Sequence, residues 1–271
     1  MADGGQGAAS GVTLGYNINQ INTFMQDIVD TLAKVKDEMA KPFPEVQQVM
    51  VTEWKGPDEI AAEKSFIGGL NECYLNCAVV VVNAITNIYS AAKGWRDYTV
   101  NNAIEHGVAV NAEELPEIKM PDMVVNHDES GNQVGAFEIS GDAGANNLGL
   151  EATTSFDGEN VGIVSASSGA TISTAIDTYR TTVRTAIEGL YDEFGDISKV
   201  SFLGETQATA IFNYMKKIGS VVEDVVTHFQ KLQDAVKAAA DAYVSAETKV
   251  ASDFNTTSDS TSVNFGDGGQ Q

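Results

Sequence analysis

The chain is poor in the residues that staple, kink or titrate: it has two cysteines, five prolines and three histidines among 271 residues. Cys73 and Cys77 stand four apart on a stretch of helical periodicity, so they share a face without bridging each other. None of His106, His127 and His228 lies at a ligand spacing beside them. Two soft ligands at helical spacing could begin a metal site, but the expectation is that both thiols are buried and reduced, acting as small hydrophobes. Basic residues are scarce as well. Sixteen Lys and Arg stand against 38 Asp and Glu, a net charge of −22, which removes the clustered cations that nucleic acid or an anionic membrane surface requires. Unbroken apolar runs are short. The longest, Cys77 to Val82, falls far below a bilayer's thickness, so no membrane insertion is expected. Met1 to Gly11 lack the basic start and apolar centre of a signal peptide, which by ordinary routes implies a cytoplasmic protein.

Catalytic patterns are equally thin. There is no phosphate-binding loop, no His and Glu pair at metal spacing and no Ser/His/Asp arrangement. His127 beside Asp128 and Glu129 comes nearest to a site, and a turn on an acidic hairpin accounts for it. Residues 103 to 163 hold twelve Asp and Glu against the single Lys119, yet no stretch there has the spaced Asp and Asn, the Gly and the closing Glu of a calcium loop. These acids read as solvated turns. The expectation is a protein that is not an enzyme and uses neither cofactor nor metal, the alternative being a toxin or enzyme with its site in that acidic segment.

What the chain does have is an internal duplication. A gapless offset of 148 residues carries Trp54 onto Phe202 and Gly56 onto Gly204. The same offset sets Phe24 on Ile172, Ile28 on Ile176, Val35 on Val183 and Met39 on Ile187. Beyond the turn it sets Phe66 on Tyr214, Leu70 on Ile218, Cys73 on Val221, Cys77 on Val225 and Trp95 on Tyr243. In chain order, Ile18, Ile21, Phe24, Ile28, Leu32, Val35 and Met39 recur at threes and fours and predict a first helix, with Asn17 as its cap. Pro42 and Pro44 interrupt it, so a kink or a short second helix leads to Trp54-Lys55-Gly56-Pro57. Pro57, Asp58 and Glu59 suit a helix start. The helix that follows steps from Phe66 through Ile88 and Trp95 to Tyr98, and the second unit repeats the plan from Thr171 to Leu190 and from Tyr214 to Phe254.

Between the units the period turns to alternation. Met123 to Asn126, Val134 to Ile139, Leu148 to Phe156 and Val161 to Ser165 read as strands of a small antiparallel meander that projects from the helices. The domain reading is therefore an N-terminal arm (1–16), a first helical hairpin (17–106), an acidic β-rich insert (107–164), a second hairpin (165–254) and a polar tail (255–271). The fold class is mainly α with a small β insert, the two hairpins forming a four-helix-bundle-like core.

A helix, Trp54-Lys55-Gly56 and a second helix, all within ~100 residues, resemble the WxG family of small helical hairpins, the early-secreted-antigen-like substrates of type VII secretion. The resemblance covers residues 17–106 and, through Phe202 and Gly204, residues 165–254. It implies that these four residues close hairpin ends. Family members carry a Tyr-x-x-x-Asp/Glu secretion signal near the end of the second helix, and Tyr243 and Glu247 stand at the corresponding place. The resemblance also implies export without a signal peptide and the secretion machinery as a partner. Fusion of two units, unusually long second helices and the insert depart from the family. They point instead to a structural protein that assembles with itself into a filament, shell or secreted assembly, with a secreted substrate or carrier as the alternative.

Overall fold

Asn17 opens the first helix as expected, its side-chain oxygen accepting from the backbone N–H of Gln20 at 3.1 Å. Helix α1 (Ile18–Ala40) stops before Pro42, and α2 (Phe43–Glu53) is a separate helix with proline in its first turn, where a missing N–H costs nothing. The backbone then extends through β1 (Trp54–Lys55), turns at Gly56 and enters α3 (Pro57–Glu105), 49 residues and about 70 Å long. Strands β2 (Met123–His127), β3 (Gln133–Ile139) and β4 (Gly162–Ile163) come next, followed by α4 (Ser168–Gly195) and α5 (Glu205–Ser260). The computed structural model describes residues 17–108, 116–121, 123–127, 133–139, 148–154, 161–165, 167–195 and 205–260.

The molecule is mainly helical with small antiparallel β pairings, and the long helices pack on one another around a single apolar core. α1 contributes Ile21, Phe24, Ile28, Leu32, Val35 and Met39, the residues that its period singles out. Phe43, Phe66, Tyr179 and Phe229 meet at the centre with ring centroids 4.9 to 6.3 Å apart, mostly edge to face. The Tyr179 hydroxyl donates to the Met39 carbonyl, and burial raises its pKa. α3 and α5 run antiparallel: Phe66 packs on Phe229, while further along α3 Asn87 donates to the Tyr214 hydroxyl. α4 and α5 are antiparallel too, Tyr179 meeting Phe229 and Phe194 meeting Tyr214.

The segment between the helical units departs from the single meander. β2 and β3 pair with each other, Met123 opposite Ile139, but β4 pairs with β1, Trp54 opposite Ile163 and Lys55 opposite Gly162. The stretch from Leu148 forms no strand over its described residues and lies along the helices. Its backbone is held by side chains: Leu148 N–H donates to Asn71, Thr153 N–H donates to Glu63, and the Glu151 carbonyl accepts from Gln47. Ile118 and Leu148 are buried in the core. This part of the insert therefore packs on the helices rather than projecting from them, because its backbone groups find fixed polar partners there. At the far end α5 continues to Ser260, past the expected start of the tail.

Candidate functional site

The end of the molecule around Trp54 gathers most of its buried polar chemistry. Trp54 is buried in an extended conformation, and its indole N–H donates to Asp58 at 3.0 Å. Gly56 sits at φ 153°, where a side chain is strained, and a Cβ there would fall 2.5 Å from an Asp58 oxygen. Tryptophan and glycine thus belong to one turn, which the returning chain stitches shut through β4 and through Val164 N–H donating to the Glu53 carbonyl at 3.0 Å. Ser168, at the start of α4, donates to Glu53 at 2.5 Å and ties the end of α2 to the second helical unit.

Glu59 and Glu63 lie one turn apart on α3, and both are buried. Glu63 accepts from Gln47 with one oxygen and from Thr153 N–H with the other. Burial raises the Glu59 carboxyl to about 7, reinforced by the charge of Glu63, by a hydrogen bond to it, and by Asp58. Glu59 Oε1 is buried without a hydrogen-bond partner while both Glu63 oxygens accept from Gln47 and Thr153, so the site favours the protonated form of Glu59. Among the described residues no three His, Cys, Asp or Glu side chains are grouped so as to hold a metal ion. The helical period marks Glu59 only as a first-turn acid. The signal that would have singled out Glu63 is its four-residue spacing from Glu59.

Tyr243 is half-buried on the same end. Its ring lies against Gly162 of β4, where an added Cβ would come within 3.2 Å, and burial followed by the Asp58 charge raises its pKa. Glu247, one turn further along α5, is exposed. Phe202 and Gly204 lie outside the described residues, as does the Asp128 and Glu129 neighbourhood of His127. Cys73 and Cys77 are free and buried. Burial pushes the Cys73 thiol up to about 12 and the Cys77 thiol upward as well.

The outer ends of the two longest helices are two further notable surfaces. Past Ala92 no residue of α3 is buried, and Trp95, Tyr98 and Ile104 are 39%, 62% and 59% exposed. Past Ala239 no described side chain of α5 is buried, and Val244 and Val250 are 54% and 66% exposed. α3 also has a feature that a search for unbroken apolar runs misses, since no charged residue lies between Glu72 and Lys93. By length and composition the helix could cross a membrane, with a mean hydropathy of 1.4 over 18 residues, half of them buried within the fold. Val81, Ile85 and Ile88 spend that apolarity on the core. No family model matches this chain, and no curated protein or solved structure is significantly similar to it.

Proposed function

We propose that this chain is a non-enzymatic structural protein that assembles with copies of itself, built from two WxG-like helical hairpins fused through an acidic insert. The observation that carries the reading is the exposed apolar surface on the outer ends of α3 and α5, where the helices outrun their partners. A solvated monomer gains nothing from an exposed Trp95 and Tyr98 on a helix extended by several turns, whereas a neighbouring copy would cover them. Light scattering of the purified full chain tests this: the mean mass should climb with concentration. A constant monomer mass would overturn it.

The pairing of buried positions supports the hairpin duplication. Phe24 and Ile172, Ile28 and Ile176, Val35 and Val183, and Met39 and Ile187 are buried in both members, as are Leu70 and Ile218, Cys73 and Val221, and Cys77 and Val225. Contacts between the units follow the same offset. Phe66 meets Phe229, and the converse pairing sets Tyr214 against α3 near Val81, where its hydroxyl lies 3.4 Å from the Asn83 carbonyl. That is the reciprocity of a pseudo-twofold axis, as in a dimer of hairpins made from one chain. The second reading, a type VII secretion substrate or carrier, is favoured by one observation: Trp54, Gly56 and Tyr243 lie together at one end of the molecule. Fractionation of a producing culture separates the two, since a substrate accumulates in the medium as a monomer or dimer.

A further inference from the structure

We infer that copies join head to tail, the outer end of α3 in one copy lying against the outer end of α5 in the next; this rests on the self-assembly reading above. Direction is the first argument. α3 and α5 are antiparallel, so the last residues of α3 and the last residues of α5 leave the core at opposite ends of the molecule. From Lys93 to Glu105 α3 extends about 20 Å past its last buried residue, and from Val244 to Ser260 α5 extends about 25 Å. Shifting a second copy along the long axis sets its α5 end beside the α3 end of the first, again antiparallel. The contact thus continues the α3 to α5 packing that the fold already uses inside one chain.

Charge is the second argument. Lys93 and Arg96 offset Asp97 and Glu105, so the α3 end is neutral, while the α5 end from Val244 to Ser260 carries Lys249 against Glu247, Asp253 and Asp259, in a chain whose net charge is −22. A mildly acidic α5 end therefore meets a neutral α3 end, with less of the acid-acid repulsion that acts between chains of this net charge elsewhere. Trp95 and Tyr98 already stand edge to face with centroids 6.2 Å apart, an aromatic pair available to receive Val244 and Val250. One helix pair of this length buries less than the ~1,200 Å² of a standard interface, so each junction is weak and concentration-dependent. Because the two surfaces differ, the contact is heterologous and propagates.

Two charge insertions test the pairing. Tyr98→Asp and Val250→Asp change exposed residues, so each variant keeps its helical circular dichroism. Each alone should lose association by at least about tenfold, because a carboxylate is forced into an apolar contact. Mixed in equal amounts they should form a one-to-one dimer that grows no further, since one variant retains a working α3 end and the other a working α5 end. Variants that assemble like the parent, or a mixture that stays monomeric while the parent assembles, would overturn the head-to-tail contact and leave self-assembly standing. A parent chain that is monomeric at every concentration would overturn both.

Discussion

At the scale of single residues, Trp54 has the most to lose. Its ring is buried and its N–H is satisfied by Asp58, so Trp54→Ala should cost about 3 to 5 kcal/mol, read from denaturant unfolding of the variant against the parent. Unchanged unfolding would show that the ring does not close the core. Gly69 makes a different demand. A Cβ there would fall 2.2 Å from the His228 ring, whereas one at the neighbouring Gly68 meets nothing within 4 Å. Gly69→Ala should therefore lower the thermal midpoint as the imidazole is driven out of the α3 to α5 contact. Gly68→Ala should raise it through helix propensity, by up to about 1 kcal/mol.

Glu59 links stability to pH. Its carboxyl titrates near 7 in the folded protein against an ordinary value of 4.5, so between those limits the folded state holds more protons than the unfolded chain. The stability that protonating Glu59 contributes is therefore complete below about pH 4.5, falls as the pH rises towards 7, and is lost above that, about 3 kcal/mol in all. Glu59→Gln, which keeps the shape and removes the titration, should flatten that slope and stabilise the protein at pH 8. Urea midpoints measured for both proteins at pH 5, 6, 7 and 8 give the comparison. Parallel curves for the two would mean that Glu59 is not protonated in the fold.

Among elements, the long helices were legible because three-and-four spacing is a strong and local signal. Ile18 to Met39 and Phe66 to Ile88 face the core as their period says, and Asn17 caps where expected. The β1 to β4 pairing was not legible. A two-residue strand has no period, and its partner lies more than a hundred residues away, so only the folded chain brings Trp54 opposite Ile163. The stretch from Leu148 misled for a related reason. Its alternation suits a strand, but its donors and acceptors are taken by Asn71, Glu63 and Gln47 rather than by another backbone. Glu63 illustrates the same limit at the candidate site, since its burial comes from the crossing of that stretch over α3.

It follows that the insert is not a detachable module. Replacing residues 118 to 164 with a flexible linker removes Ile118, Leu148 and the β4 partner of Trp54, and leaves Glu63 without its Thr153 donor. Such a variant should unfold at clearly lower temperature than the parent, with a loss of several kcal/mol from the buried side chains alone. A midpoint unchanged in thermal circular dichroism would show instead that the helices need nothing from the insert.

For the whole molecule, the governing features are a net charge of −22 and two helix ends with exposed apolar side chains, one neutral and one mildly acidic. The charge keeps copies apart at low ionic strength, while salt shortens its reach to about 8 Å at 0.15 M and leaves apolar contacts intact. Association driven by opposite charges would weaken with salt, so the sign of the salt effect discriminates between the two kinds of contact. Sedimentation velocity of the full chain across a salt and concentration series is the most direct test of self-assembly through the helix ends. The account predicts a monomer in dilute protein at low salt and a growing population of larger species as either salt or protein concentration rises. A single monomeric boundary under every condition would contradict it.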